Sequence, residues 1–541
     1  MKEYMGVVSK ATLIFRTVRY LSFKQLYFNV FYRLKFKVKT RFAFGNQKGY
    51  VTPTPLQLKY DAIFVPHTSV SVAGNQATFS ILNKDRTFAI DQMDWADETH
   101  GKLWNYNLNY FEYLFCPALS HEQCLQLITA YCQSLSVNEG GLEPYPISLR
   151  GINWIKYLSL KEVQHETFNR SLYFQYKVLM ASLEYHLLAN HLLENAFSLL
   201  FGSYYFRSDT FYNRAKQLLQ EELNEQILAD GAHYERSPMY HQIILYRLLD
   251  AINLLDANSW KNDNLYGFLQ RKAKQMLSFL HQVTLGGTVY PCVKDSAPGV
   301  APTAIHLFSY AKILGLTWNT NNHMKQSGYR WIRHQDLHVL ADIGEVSPSY
   351  QPGHAHADEL SFLLWSGHSP ILVDTGISTY EKNQRRQQER SSSSHNCLAL
   401  DGINSSEVWG GFRVGSRANI KILADTENEV SASHDGFRKQ GLLTSRLWKK
   451  EKEGLIIYDL HKGNENDLQK AILNLHFHPD IEVVVEGALV RAGGVELHLS
   501  GFREISLESF KFATQFNSLV KSKRLSLKPS TKTRIFVKNA S

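Results

Sequence analysis

Leu172-Tyr-Phe-Gln-Tyr-Lys-Val-Leu-Met180 and Glu184-Tyr-His-Leu-Leu-Ala-Asn-His-Leu-Leu-Glu-Asn-Ala-Phe-Ser-Leu-Leu-Phe201 belong to one run, residues 172–205, whose apolar side chains recur at helical spacing. Residues 211–228, 239–256 and 264–284 repeat the pattern, and Ala229-Asp-Gly-Ala232 and Leu285-Gly-Gly287 supply turns between them. From about residue 100 to 320 the chain therefore reads as helices in succession with short connections, which suggests a helical array or toroid. No strict repeat is visible, so a regular solenoid is disfavoured.

After the polar stretch Asn319-Thr-Asn-Asn-His-Met-Lys-Gln-Ser-Gly328 the texture changes. Leu337–Ile343, Glu359–Trp365, Ile420–Leu423, Gly454–Tyr458 and Ile481–Val485 are short and β-branched or alternating, many of them separated by Gly, Asn or Asp. They predict a β-sandwich or stacked sheets. The expected organisation is a segment at 1–50, a helical domain at 51–325 and a β domain at 326–541.

Composition fits this frame. A chain of 541 residues, 44% hydrophobic and 20% charged, can bury a large core. Five cysteines without pairing or ligand spacing imply no disulfide framework. Aromatic residues reach 12%, which suits either sugar-stacking clefts or core packing.

The net charge of +9 is localised. Residues 1–50 hold eleven Lys/Arg against the single acid Glu3, leaving 48 basic and 49 acidic residues elsewhere. Leu21-Ser-Phe-Lys-Gln-Leu-Tyr-Phe-Asn-Val-Phe-Tyr-Arg-Leu-Lys-Phe-Lys37 interleaves these cations with aromatics. Three readings stand: a helix on an anionic membrane surface, attraction of an anionic polymer, or a helix docked on the body with its cations in water. No base-reading motif accompanies the charge, so nucleic acid is not an expected partner. No apolar run approaches the ~20 residues of a membrane span, and residues 11–15 are too short for a secretory signal core. The expectation is a cytoplasmic chain, or one peripheral to the inner membrane.

Three groups of polar residues carry the chemistry. Asn190-His191 falls within an apolar helical pattern, where unpaired polar groups cost about 1–3 kcal/mol each. They form either a cleft-facing pair or a helix-packing network. In Asp230-Gly-Ala-His-Tyr-Glu-Arg-Ser-Pro-Met-Tyr-His241, Pro238 can begin a helix with Tyr240 and His241 in its first turn and Glu235 and Arg236 just before it. Titratable groups held at a helix start can move protons. In Gln351-Pro-Gly-His-Ala-His-Ala-Asp358, His356 is followed 18 residues later by Asp374 and 21 after that by His395. Two imidazoles and a carboxylate suit Zn²⁺. His354, two places before His356, would share its face on a strand and stand near the ion without binding it.

Taken together these stretches resemble the heparinase II/III family of polysaccharide lyases and its alginate lyase relatives. Leu103-Trp-Asn-Tyr-Asn-Leu-Asn-Tyr-Phe111, Pro144-Tyr-Pro146 with Asn153-Trp-Ile155, Glu184–Asn195, Asp230–His241, Pro352–Asp358 and Arg390–Asn396 carry the resemblance in the family's order. It implies an (α/α) toroid followed by an antiparallel β-sandwich, with the active site between them. It further implies β-elimination at a uronic acid. Asn190 and His191 resemble the pair that neutralises the substrate carboxylate. Tyr240 resembles the catalytic tyrosine, acting as acid and, for one linkage stereochemistry, as base. His354 resembles the histidine that faces it from the β domain, a base or a carboxylate contact. His356, Asp374 and His395 resemble the ligands of a structural zinc. Glu235, Arg236, His241 and Arg390 are expected at the substrate, Arg236 and His241 also as cations that activate Tyr240, whose ordinary pKa is about 10.

Arg385-Arg386 and Ser391–Ser394 read as a site for sulfate or carboxylate, or as a solvated loop. The basic aromatic N-terminus resembles that of relatives encoded with bacterial polysaccharide synthesis, which would make the substrate a capsule or exopolysaccharide. Two alternatives remain. A glycoside hydrolase would use paired carboxylates, for which Glu194, Glu235 and Asp358 are available. A non-catalytic polysaccharide-binding or assembly protein would keep the aromatics and cations. A zinc peptidase is disfavoured, since His121-Glu122 is followed at 125 by leucine.

Overall fold

The computed structural model describes residues 10–32, 50–59, 68–135, 138, 140–321, 323–463 and 465–540. Residues 1–9 and 33–49 of the basic segment lie outside the described residues.

The helical domain is built from Pro144–Leu160, Glu166–Ala181, Ala189–Phe206, Asp209–Gln226, Pro238–Ala257, Leu265–Val283 and Ala304–Ile313. Sequence decides which helices lie inside. In Ala189–Phe206 every residue except His191 is buried, as an apolar helix enclosed on all sides requires. Asp209–Gln226 is polar on one face and buries Phe211, Tyr212, Ala215, Leu218, Leu219 and Leu223 on the other. The inner helices are tied by buried ion pairs: Lys156 to Asp250 at 2.5 Å, and Arg247 to Glu194 at 3.3 Å. A three-stranded antiparallel sheet, Thr68–Ala73, Gln76–Ile81 and Lys84–Ala89, precedes the helices.

The run expected as one helix over 172–205 is two. The chain breaks at residues 182–188, where Leu188 and Ala189 take positive φ of 61° and 53°. Periodicity alone does not register this break, because Leu183 and Leu188 are buried on both sides of it. Its consequence is functional: Asn190 and His191 stand in the first turn of a helix and not in its interior.

The C-terminal domain stacks a four-stranded sheet, residues 329–372, on a ten-stranded antiparallel sheet. The smaller sheet is the middle layer of the molecule, and its two-residue alternation serves two cores. Val339, Phe362 and Leu364 pack towards Trp448, Ile457 and Leu475 of the larger sheet. Their neighbours Leu340, Leu363 and Trp365 pack towards the helices. The long hairpin Val495–Gln515 and Ser518–Asn539 reaches back to the N-terminal sheet, where Asn517 donates to the Leu82 carbonyl. Near its tip the Ala513 and Asn517 amides bond the Thr375 and Ser378 carbonyls, holding the loop that carries Asp374 and Tyr380.

Candidate active site

The site lies where the helical domain meets the loops above the middle sheet. Pro238 opens its helix as anticipated. The Ser237 hydroxyl accepts from the Tyr240 amide, which fixes Tyr240 in the first turn. The Tyr240 ring stacks on His354, 3.8 Å between centroids, and its hydroxyl lies 3.2 Å from that of Tyr380. Burial raises the Tyr240 pKa well above that of an ordinary tyrosine, against the lowering contact with Tyr380 and the charge of Arg386. Tyr240 is therefore a phenol, able to give a proton.

His354 and His356 are not on a strand; they lie in an irregular loop. What they share is Asp295. Its carboxylate meets His354 Nδ1 and His356 Nε2, each at 2.8 Å, and forms two bonds with Arg386 at 2.5 and 2.6 Å. Burial disfavours charge on Asp295, but Arg386 and the hydrogen bonds from His354, His356 and Arg386 outweigh it, and its pKa falls well below the carboxylate range. An ionised carboxylate only accepts, so both imidazoles donate to it. In neutral His354 the proton is thereby placed on Nδ1, and Nε2 is left as a base.

On the helical side, Asn190 Nδ2 donates to both oxygens of Glu235, at 3.1 and 3.2 Å. His191 Nδ1 lies 3.0 Å from Glu184, and its ring is 4.5 Å from that of Tyr145. Burial pushes the His191 imidazole down, yet the charge and hydrogen bond of Glu184 more than compensate, and its pKa is raised. Glu235 is the common neighbour: its charge is felt by His191, Tyr240 and His354. The structure thus brings Asn190, His191, Glu235, Tyr240 and His354 together across the domain boundary.

Other expected contacts are placed elsewhere. Arg236 is buried, pairs with Asp342 and reaches the Glu345 carbonyl, so it joins the two domains. Its φ of 58° is a left-handed conformation held by those bonds. His241 accepts from the His233 amide and lies 3.0 Å from the Met276 carbonyl; burial pushes its pKa down to about 4, so it is neutral. Neither is a cation beside Tyr240. Arg390 donates to the Ala355 carbonyl, between the two loop histidines, and is fully buried. The Arg385–Ser394 stretch is not a solvated loop: residues 384–389 are helical, Arg385 pairs with Glu389 and Arg386 with Asp295, and Ser392 and Ser394 are buried. Glu194 pairs with Arg247 and Asp358 with Lys294, which removes both from any carboxylate pair of the hydrolase type.

Asp295, Tyr380 and Glu184 are the site residues that sequence reasoning did not single out. Lys294-Asp295, two charges in an otherwise apolar turn, was the one local signal for Asp295. Tyr380 had none, since 140 residues separate it from its partner Tyr240.

His356, Asp374 and His395 also converge. His395 Nδ1 lies 2.6 Å from Asp374, and the two imidazole rings are 5.2 Å apart. Among the described residues no group of three or more His, Cys, Asp or Glu is set at ligand geometry. Two nitrogens, His356 Nδ1 and His395 Nε2, are nevertheless buried without a hydrogen-bond partner. Unpaired buried imidazole nitrogens are costly, and a bound cation is one partner that would satisfy these two.

Residues 155–314 match the heparinase II/III N-terminus, and residues 319–537 match the heparinase II/III-like C-terminal domain. No curated protein matches the sequence. Among solved structures, a crystal structure of heparinase III is 16% identical with a TM-score of 0.65, covering 84% of this chain and 81% of that one. The heparan sulfate lyase HepC from Pedobacter heparinus is 15% identical with a TM-score of 0.54, covering 84% and 80%. These likenesses show a shared fold, the helical toroid followed by the antiparallel sandwich. With both family domains matched in order across the two halves that build this site, the chain belongs to the heparinase II/III family and is a polysaccharide lyase.

Proposed function

We propose that the protein cleaves a uronic-acid-containing polysaccharide by β-elimination, with His354 as base and Tyr240 as acid. The observation that carries this reading is the state of the stacked pair. Asp295 engages His354 Nδ1, so that Nε2 is the nitrogen free to take a proton in the neutral ring, and the Tyr240 ring, its hydroxyl kept protonated by burial, stacks 3.8 Å away, ring to ring.

In the proposed reaction the substrate carboxylate docks on Asn190 and His191. His191, protonated through Glu184, draws charge from it and makes the adjacent C5 proton acidic. His354 Nε2 takes that proton. The C–H electrons become the C4–C5 double bond, and the C4–O4 bond breaks with its electrons going to oxygen. Tyr240 gives its proton to that oxygen. The net change is one proton moved from C5 to O4, with no water consumed. General acid–base assistance of this kind contributes about 10²–10⁴-fold. The Asn190 amide donates to Glu235 in the free protein, so docking would exchange one carboxylate partner for another.

A zinc ion held by His356, Asp374 and His395 would be structural in this scheme, fixing through Asp295 the loop that carries His354. A bacterial capsule or exopolysaccharide is the substrate favoured by the basic aromatic N-terminus. Heparan sulfate, on which HepC acts, is the other polymer to test. The hydrolase alternative has little support, because Glu194 and Asp358 are committed to ion pairs.

A panel of uronate polysaccharides assayed for an unsaturated product absorbing in the near ultraviolet tests the proposal. New reducing ends without that absorbance would establish hydrolysis in its place.

A further inference from the structure

The N-terminal helices are amphipathic in the wrong sense for a soluble surface. In Lys10–Val18 the exposed residues include Ala11, Ile14, Phe15 and Val18; in the helix at 23–32 they are Phe23, Leu26, Tyr27 and Val30. Both sets follow the i, i+3, i+4, i+7 pattern of a single helical stripe. Phe15 is 71% exposed, Phe23 83% and Val30 61%. The residue buried most deeply between these stripes and the body is the polar Gln25.

The opposite faces hold the helices to both domains. Arg16 pairs with Glu407 at 2.5 Å, and the Trp409 indole donates to Thr17 at 3.0 Å. Gln25 donates to the Tyr350 carbonyl, Tyr32 to the Leu183 carbonyl, and Phe28 stacks on Tyr185 at 4.7 Å. Tyr350 lies four residues before His354, and Tyr185 five before Asn190. The helices thus strap the β-domain loops to the 182–188 break beside the active site, with their apolar stripes turned outward.

We propose that these stripes form an interfacial docking surface for an anionic lipid bilayer. The occupant is argued from charge. Exposed Lys10 and Arg19 border the stripes, and the first fifty residues carry a net +10. Large apolar side chains on one helix face with cations at its edges match the acyl–headgroup boundary of a membrane containing acidic lipids, not a neutral protein surface. Among the described residues no helix is long and apolar enough to cross a membrane, so the contact is one of lying on the surface. It would present the cleft to polysaccharide held at that surface.

The test is co-sedimentation of the full chain with vesicles of phosphatidylcholine alone, or of phosphatidylcholine with about one quarter phosphatidylserine. The expected result is binding to the anionic vesicles, weaker binding to the neutral ones, and loss on raising salt. In F15S/F23S/V30S the partition should fall about tenfold or more, while turnover of soluble polysaccharide stays unchanged because none of the three touches the site. Absence of sedimentation with anionic vesicles would overturn the proposal, as would equal binding of the variant. A wild-type dimer in solution that the variant dissolves, without vesicle binding, would assign the surface to a second copy. Vesicle binding needs no substrate, so the proposal stands or falls apart from the elimination mechanism.

Discussion

Replacing Asp295 by asparagine should separate the positioning of the base from the stability of the site. The carboxylate is fully buried and serves three partners: Arg386 through both oxygens, His354 Nδ1 and His356 Nε2. Asparagine keeps the shape and one acceptor but presents an NH₂ group to donors that cannot use it. Arg386 would then be a buried cation without a counter-ion, which costs about 3–5 kcal/mol. His354 would lose the acceptor that fixes its tautomer, and turnover should fall about 10²–10⁴-fold with KM nearly unchanged. The assay pairs initial rates of unsaturated-product formation with thermal melting. D295N/R386Q removes both buried charges and should recover much of the melting temperature, since a neutral pair replaces an unpaired ion. It should not recover turnover. Recovery of turnover in the double variant, or a single variant within a few-fold of wild type, would refute the claim that Asp295 acts by orienting His354.

Three further outcomes are expected. Y240F keeps the ring stacked on His354 and loses only a hydroxyl 3.2 Å from Tyr380, so turnover should fall about 10²–10⁴-fold while polymer binding is retained; near-normal rates would move proton donation to another group. Purified protein should contain one divalent ion per chain, zinc by its donors, and His395→Ala should lose both the ion and thermal stability; metal analysis finding no stoichiometric ion would end that assignment. Burial holds His241 and His434 near pKa 4 against an ordinary 6.5, so each folds neutral. Their contribution, roughly 3 kcal/mol each, is complete above pH 6.5 and is lost as pH falls towards 4. Melting temperature should drop across that window and drop less in His434→Gln; an identical slope in the variant would remove the assignment.

Much of this was legible in the chain. Apolar spacing of 3.6 in residues 211–228 and 239–256, and alternation after residue 328, disclosed two kinds of domain, because each period reports which face meets a core. Pro238 announced the helix start that fixes Tyr240. What could not be read is what only the fold brings together. Asp295 holds two histidines about sixty residues away and an arginine 91 residues away, and no local pattern encodes such a meeting. Arg386 and Arg390 looked like ligands for an anion because sequence shows charge but not burial. The break at 182–188 was hidden for a related reason: its leucines pack as helix leucines do, while the backbone leaves the helix at Ser182 and re-enters it through the positive φ of Leu188 and Ala189.

The central claim, elimination driven by a neutralised carboxylate, is tested most directly by reducing the carboxyl groups of a cleaved uronate polymer to alcohols and comparing the two forms. In the proposed reaction Asn190 and His191 meet a substrate carboxylate only in the native polymer, and only there can the C5 proton be acidified. The account predicts cleavage with a near-ultraviolet-absorbing product from the native polymer and none from the reduced one. It also predicts that removing sulfate leaves cleavage in place, since Arg386 is already spent on Asp295. Comparable cleavage of native and carboxyl-reduced polymer would contradict it.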